Sequence, residues 1–170
     1  MTEQPTEQFR ERLAAQYDKF AARFHELYDA SREKGQQTLD VALDKTREQM
    51  AALGEMSAEQ AQAFKEYLKR DLDQTAAEMR RLGEEGKARF HPSRVGAGAL
   101  ASLARLLQQG GEALLALSEK ADWALIYKSG EVTGAGTLTC LKCGHTLPFA
   151  QTAYIPPCPQ CNGTTFKKGY

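Results

Sequence analysis

Cysteine is missing from the first 139 residues, so no disulfide framework can hold this part of the chain together. The opening segment, MTEQPTEQFRERL, lacks the apolar core of a secretory signal, because it is polar and charged from its first residues. We therefore expect a cytoplasmic protein whose cysteines stay reduced.

Long hydrophobic runs are also missing. The least charged stretch, residues 96–117, still contains Arg105 and Glu112 near its centre, where a bilayer would penalise both charges. We expect no membrane-spanning segment, and we interpret this stretch as part of a buried helix that runs from about residue 99 to residue 127.

The chain has no excess of charge of either sign, since 22 basic residues balance 22 acidic ones. From Lys128 onward, however, four lysines face the single acid Glu131, a net charge of +3, and the preceding 127 residues carry a net charge of −3. With so small an imbalance, we expect no global electrostatic steering of a partner.

Proline is absent between Pro5 and Pro92, and this region is rich in strong helix formers. Apolar residues recur there at steps of three and four, which is the spacing of amphipathic helices. Three such series are Phe9, Leu13, Tyr17, Phe20, Phe24 and Leu27; Leu39, Leu43, Thr46, Met50 and Leu53; and Ala61, Phe64, Leu68, Leu72, Thr75, Met79 and Leu82. Gly35 breaks or weakens the helix between the first two series, and a capping-box signature beginning at Ser57 precedes the third.

Glycines and Pro92 mark a linker at residues 83–98, before the last predicted helix. The apolar series follow heptad spacing for only a few repeats, and the turns between them are short. We therefore predict a mainly α fold in which residues 1–127 form a coiled-coil-like helical hairpin or bundle. A homodimer through the same helical faces stays an open alternative.

The four cysteines form two Cys-x2-Cys pairs with 14 residues between them: Cys140, Cys143, Cys158 and Cys161. Two residues between cysteines let both sulfurs point at one ion while backbone N–H groups turn toward the sulfurs. We expect Gly144 and Gly163 to supply the backbone freedom that these turns need. Two such pairs complete a tetrahedral zinc shell with no open position, so the predicted site is structural.

Other uses of the four cysteines fit less well. Disulfides need an oxidising compartment, and a redox Cys-x2-Cys normally stands alone beside a βαβ pattern, which this sequence lacks. Four thiolates also suit iron, and coordination number does not separate iron from zinc. We predict one structural zinc ion and keep iron as the less favoured alternative.

Residues 128–170 alternate apolar and polar positions between glycines, which predicts strands near residues 131–133, 137–139, 146–149 and 165–168. A segment of about forty residues has too little core to fold without a staple. We therefore predict a small C-terminal β zinc ribbon that unfolds when the metal is removed, while most of the helical signal persists.

Several short motifs in this segment belong to one known pattern: Ser129-Gly-Glu-Val132, Leu138-Thr-Cys140, Cys143-Gly-His145, Leu147-Pro148, Cys158-Pro-x-Cys161 and Phe166. With these motifs the chain resembles the YbeL-like family of bacterial zinc-ribbon-containing proteins. In that family a long, charged helical region precedes the ribbon, as it does here. The resemblance implies four zinc ligands at the cysteines and carries no established activity.

Catalytic signatures are missing, since the sequence has no nucleophile motif, no phosphate-binding glycine loop and no metal-hydrolase motif. The histidines His25, His91 and His145 are widely spaced, and we interpret each as a surface residue or as a support for a metal ligand. We therefore predict that the protein is not an enzyme.

A helical bundle followed by a four-cysteine tail is also similar to rubrerythrin, an electron-transfer protein with two irons in its bundle. That di-iron site requires Glu-x-x-His pairs. Ala22, Ala88 and Lys142 stand three residues before the histidines, so the di-iron interpretation fails. A lone rubredoxin-like iron in the ribbon is what remains of this alternative.

Nucleic-acid binding is a further alternative that rests on fold analogy. Its candidate residues are Lys142, Lys167 and Lys168, with Phe149, Tyr154, Phe166 and Tyr170 as stacking rings. We favour aromatics that fill a small core and lysines that offset the charge of the cluster, because a nucleic-acid module carries a stronger basic footprint. Acidic residues interrupt a second basic group, which predicts a solvated face: Arg80, Arg81, Lys87, Arg89 and Arg94. The sequence thus favours an adaptor with an unidentified protein partner.

Overall fold

The N-terminal region contains three helices in the computed structural model, which describes residues 5–32, 39–82 and 125–169. The helices are α1 (Glu7–Arg32), α2 (Leu39–Ala52) and α3 (Ala58–Leu82). Each helix coincides with one of the three apolar series, so the prediction of a mainly helical N-terminal region is confirmed.

Side chains cap the starts of α1 and α3. The Thr6 hydroxyl accepts a hydrogen bond from the Phe9 N–H at 3.3 Å, and the Ser57 hydroxyl accepts one from the Gln60 N–H at 3.1 Å. The Gln60 side chain donates to Gln16 of α1 at 2.7 Å. The predicted cap at Ser57 is therefore present, and the glutamine of the same motif ties α3 to α1.

The apolar series of the three helices meet in one core. Tyr17 and Phe20 of α1 pack edge-on against Phe64 of α3, with ring centroids 5.6 and 6.2 Å apart. Further buried members come from all three helices: Ala21, Phe24, Tyr28, Leu39, Ala42, Leu43, Met50, Ala61, Leu68, Leu72 and Ala76. These side chains are buried within a single chain. The homodimer through the same helical faces stays a prediction.

Two members of the predicted series are exposed within the described ranges. Phe9, at the start of α1, is 40% exposed, and Leu53, just after α2, is 68% exposed. Each stands at the end of its helix, where the neighbouring helices no longer cover it. Isolated apolar residues of this kind are normal on a protein surface.

Polar contacts at the rim of the core link α2 to both neighbouring helices. Asp44 of α2 pairs with Lys65 of α3 at 2.6 Å, and Arg23 of α1 donates to Gln49 of α2 at 2.8 Å. Exposed ion pairs contribute only about 0.2–1 kcal/mol each. Burial of the apolar series therefore holds the helices together, and the polar contacts fix their register.

The C-terminal region forms two small antiparallel sheets. Their six strands are β1 (Ile126–Lys128), β2 (Val132–Thr133), β3 (Gly136–Cys140), β4 (Thr146–Phe149), β5 (Ala153–Tyr154) and β6 (Thr165–Gly169). One sheet has the order β1-β6-β3-β4, and the other pairs β2 with β5. A buried cluster of Tyr127, Leu138, Cys140, Ile155, Cys158 and Phe166 forms the core of this ribbon.

The predicted last helix extends too far toward the C terminus. Ile126 and Tyr127 lie in β1, where Tyr127 is opposite Phe166 of β6 and is completely buried. Apolar residues near the end of a helical pattern suit a strand equally well, and periodicity alone does not separate the two. The ribbon sheet therefore begins before the predicted boundary at residue 128.

Four strands were predicted and all four are present, with ends that agree or shift by one residue. The additional strands, β1 and β5, are three and two residues long, and β1 lies where the last helix was predicted to end. The helix break at Gly35, the linker at residues 83–98 and the helix predicted from residue 99 lie outside the described residues.

The ribbon packs directly against the helices. Strand β5 contacts α1 and strand β2 contacts α3, and Val132 of β2 is a buried member of the helical core. Thr152, just before β5, donates to Asp18 of α1 at 2.7 Å. None of the helices within the described ranges is long and apolar enough to cross a membrane.

Candidate metal centre

Each cysteine pair lies in a tight turn, and the two turns share one backbone pattern. The Gly144 N–H donates to the Cys140 carbonyl at 2.9 Å, and the Asn162 N–H donates to the Cys158 carbonyl at 2.8 Å. In both turns the donor is four residues after the first cysteine. The same local fold therefore presents both pairs.

Each turn ends on a residue with left-handed backbone, but the residue type differs between the two turns. Gly144 has a φ of 76°, as predicted from its sequence position, but in the second turn Asn162 takes this role with a φ of 55°. Asparagine tolerates this conformation better than most residues. The prediction that Gly163 supplies turn freedom is therefore wrong.

Gly163 is needed for space instead. A Cβ atom at this position would lie 2.9 Å from the Sγ atom of Cys140 and 3.1 Å from that of Cys161. Both separations are closer than a carbon and a sulfur normally approach. The missing side chain lets the backbone lie against the sulfur cluster.

The four cysteine sulfurs form a compact cluster, with all Sγ atoms within 4.8 Å of one another. Two distances are 3.6 Å: Cys140 to Cys161, and Cys143 to Cys158. A tetrahedral ion with metal–sulfur bonds of about 2.3 Å would place its sulfurs about 3.8 Å apart. The four thiols, none of which is in a disulfide, therefore fit a tetrahedral metal site.

The cysteines differ in how readily they ionise. Burial alone would raise the pKa of Cys140, but backbone N–H groups of Lys142 and Cys143 stabilise its thiolate and lower the pKa to about 7. At Cys143 the His145 N–H favours the thiolate, yet the adjacent sulfurs and burial outweigh it and raise the pKa to about 12. Four thiolates in contact repel one another, so a divalent cation is what would let all four ionise together.

A family model described as a zinc-ribbon containing domain matches residues 25–169. The chain belongs to this zinc-ribbon family. The match includes most of the helical region as well as the ribbon, and it confirms the family resemblance drawn from the short motifs around the cysteines.

Curated relatives in this zinc-ribbon family come from Escherichia coli. The "Uncharacterized protein YbeL" of strain K12 is 26% identical over 156 residues, which cover 89% of this chain and 96% of the relative. The proteins of the same name in strains O6:H1 and O157:H7 align with the same identity and coverage. No solved structure gives a significant match to the chain.

This member of the zinc-ribbon family buries a charged contact between its ribbon and its helices. Asp71 of α3 is completely buried and lies 3.2 Å from the Lys168 ammonium of β6. The carboxylate also accepts hydrogen bonds from the hydroxyls of Tyr17 and Tyr127, at 2.9 and 2.8 Å, and from the Gly134 N–H at 2.8 Å. One carboxylate thus joins α1, α3, β1 and β6.

The environment of Asp71 keeps its carboxyl ionised. Burial would raise the pKa, but Lys168, Arg70 and the donated hydrogen bonds outweigh burial and lower it below the ordinary value of 3.8. On the other side, Lys168 donates to the Thr133 hydroxyl at 2.9 Å and to the Gly134 carbonyl at 3.1 Å. The charge pair is therefore well satisfied by hydrogen bonds.

A second ion pair lies at the edge of the same interface. Arg70 of α3 pairs with Glu131, and its guanidinium carbon lies 3.8 Å from the centre of the Tyr127 ring. Glu131 also accepts a hydrogen bond from the Lys128 N–H at 3.0 Å. The only acidic residue of the ribbon is thus used to hold the ribbon on α3.

No local sequence motif links the partners in this interface. Asp71 and Lys168 are 97 residues apart. The sequence predicts Lys168 to offset the charge of the cysteine cluster, with nucleic-acid contact as the alternative. Lys168 lies opposite Leu138 on the inward face of the sheet. The alternation of side chains along β6 could therefore have predicted that Lys168 points inward. Lys168 is buried, so it belongs to neither role.

The two histidines in the described part of the chain lie in different regions of the fold. His25 of α1 is 3.2 Å from Asp29, one helical turn later, and His145 follows the first cysteine turn, where its carbonyl accepts from the Cys140 N–H at 2.8 Å. His91 lies outside the described residues. Among the basic residues expected on a solvated face, Arg81 is exposed and pairs with Glu78 at 2.6 Å.

Proposed function

We propose that the protein is a non-enzymatic adaptor of the cytoplasm in which one structural zinc ion keeps the ribbon folded and docked on the helices. The closed four-sulfur cluster carries this proposal, because four cysteine ligands leave no position on the metal for water or substrate. No second group of histidine, cysteine or acidic side chains within the described residues is arranged to hold a metal.

The identity of the metal is tested by elemental analysis and visible absorption of the purified full-length protein. We expect one zinc per chain and a colourless solution, because zinc has a filled d shell. A red protein with one iron per chain would contradict the proposal and support the rubredoxin-like alternative.

The adaptor role is tested by affinity capture from the native bacterial cell with the tagged full-length chain. We expect specific partner proteins in the wild-type capture and their loss with Cys158→Ser, since a ribbon without its metal cannot keep a binding surface in shape. Wild-type capture that recovers no protein above the background of the tag alone would contradict the adaptor role.

Nucleic acid is less favoured as a partner. Phe166 and Lys168, two of the candidate contact residues, are buried, and Phe149 packs against the ribbon core. The remaining exposed lysines are far fewer than a nucleic-acid module carries. We expect no salt-dependent mobility shift with random duplex DNA at physiological salt, and a clear shift that weakens steeply with salt would contradict this choice.

A further inference from the structure

Among the described residues, one face of the four-stranded sheet is not covered by another helix or strand. Across its strands, Ile126 lies opposite Lys167, Lys167 opposite Thr139, and Thr139 opposite Thr146. Because side chains alternate along a strand, residues in one row share one face. The neighbours of this row on the same strands, Tyr127, Phe166 and Cys140, are buried, so the row faces away from the ribbon core.

A second row on the same face lies beside the first. Lys128 is opposite Thr165, and the Leu141 N–H donates to the Thr165 carbonyl at 3.0 Å, which continues the register beyond the end of β3. We call the two rows together the outer sheet face, formed by Ile126, Lys128, Thr139, Leu141, Thr146, Thr165 and Lys167.

The outer sheet face combines exposed aliphatic side chains with exposed positive charge. Ile126 is 44% exposed and Leu141 is 54% exposed, and they are two of the five large hydrophobic side chains that are exposed in the described residues. Lys128 and Lys167 are exposed too, and within the described ranges neither forms an ion pair. The face contains no carboxylate, since Glu131 is held by Arg70.

The composition of this face favours a protein partner over nucleic acid. Binding of single-stranded nucleic acid relies on exposed aromatic rings that stack on bases. The outer sheet face has no aromatic residue, because Tyr127 and Phe166 of the same strands point inward and are completely buried. Aliphatic anchors beside lysines instead match a segment with carboxylates and apolar side chains.

The β4 edge of the sheet is less suited to binding than its outer face. Pro148 lies within the edge strand β4 and has no N–H to offer to an added strand. Binding through side chains of the face avoids this restriction. Strand spacing places Ile126 and Leu141 about 10 Å apart across the sheet and about 7 Å along it, which a short helix or extended segment can span.

We propose that the outer sheet face binds an acidic protein segment whose carboxylates meet Lys128 and Lys167 while its apolar side chains cover Ile126 and Leu141. The proposal rests on the adaptor function and specifies the surface and the partner class that this function uses. Zinc contributes to this binding only indirectly. It keeps β3 and β6 in register, since both cysteine turns adjoin these strands.

The test combines cell capture with zero-length carbodiimide crosslinking, which joins a carboxylate to a lysine that it touches. The probe is the tagged, zinc-loaded full-length chain in lysate of the native bacterium, and crosslinked peptides are identified by mass spectrometry. We expect crosslinks from Lys128 and Lys167 to glutamate- or aspartate-rich segments of partner proteins. Lys167→Glu should reduce partner recovery about tenfold, because charge reversal turns attraction into repulsion.

Matched variants keep the test specific. Lys45→Glu makes the same change at an exposed lysine of α2 and should leave recovery within twofold of wild type. Ile126→Thr keeps a β-branched residue in β1 but removes apolar surface, and it should lower recovery several-fold without charge reversal. Zinc content and circular dichroism verify that each variant is folded.

The outcomes distinguish a failure of the proposed surface from a failure of the adaptor function. Partners recovered equally well by Lys167→Glu and Ile126→Thr, or crosslinked elsewhere, would overturn the outer sheet face and leave the adaptor function standing. Recovery that nuclease treatment abolishes would overturn the acidic-protein assignment in favour of nucleic acid. Wild-type protein that captures no partner at all would overturn the adaptor function itself.

Discussion

At Gly163 the backbone lies against two of the four sulfurs, so a side chain at this position is excluded. We predict that Gly163→Ala weakens metal binding, because the added methyl group would lie 2.9 Å from the Sγ atom of Cys140. Overpacking of this kind costs about 1–3 kcal/mol. Competition with a chromophoric chelator measures the change in zinc affinity.

The control for this prediction is Gly169→Ala in the same ribbon. A Cβ atom at Gly169 would meet no atom within 4 Å, and Gly169 is not in the left-handed region. Its zinc affinity should equal that of the wild type. Equal affinity in the Gly163→Ala variant would contradict the close contact between backbone and sulfur.

Asp73 of α3 is a buried acid in an unfavourable position. Burial, with a further contribution from Asp40, raises its pKa to about 6, although Lys69 opposes the shift. Its Oδ1 atom has no hydrogen-bond partner within the described part of the chain. Because the folded pKa lies above the ordinary value, its favourable contribution is present at low pH and is lost as the pH rises through about 6.

We therefore predict that Asp73→Asn stabilises the protein at pH 7.5 by about 1 kcal/mol, since an amide avoids the buried charge. The gain should shrink as the pH falls toward 5, where the wild-type carboxyl is protonated. Thermal unfolding of both proteins across this pH range measures the effect. A variant that is less stable than wild type at pH 7.5 would show that Asp73 has a stabilising partner.

Among the elements, α3 and β6 are joined by the buried Asp71–Lys168 pair. We predict that Asp71→Asn destabilises the docked ribbon by about 3–5 kcal/mol, because it leaves Lys168 as a buried cation without its counter-charge. Denaturant unfolding measures this loss. Because the pKa of Asp71 is depressed in the folded state, its contribution is present above its ordinary pKa and is lost as the pH falls below that value.

Asp44→Asn is the matched control on the helices. Asp44 also pairs with a lysine, Lys65, but this pair is at the surface and does not contact the ribbon. We expect its removal to cost less than about 1 kcal/mol. Equal effects of the two substitutions would mean that the Asp71 pair is not a docking contact.

Secondary structure was predictable where a periodic pattern is long. The three helices follow apolar series of five to seven residues, and the Cys-x2-Cys spacing locates both metal-binding turns. Strand β1 was missed because its apolar residues also suit the end of the predicted last helix, and β5 has only two residues. The role of Gly163 was misjudged because its constraint is a contact with Cys140, which sequence spacing does not reveal.

For the whole molecule, the sequence indicated two regions but not how they meet. The contact depends on Asp71, Lys168 and Val132, and no local pattern links residues this far apart. The sequence predicts helices that keep most of their structure when the metal is removed. The structure instead shows the ribbon covering part of α1 and α3, so loss of the ribbon fold removes packing from both helices.

The central claim is that a four-cysteine metal site keeps the ribbon folded and thereby stabilises the helices that it covers. The most direct test is thermal unfolding of the full-length protein, followed by helical circular dichroism with zinc bound and after its removal by a chelator. We predict that most of the helical signal remains at low temperature but that its unfolding midpoint falls by at least about 5 °C without zinc, because metal binding to the folded state is linked to stability. An unchanged midpoint, with the zinc shown to be gone, would contradict the account.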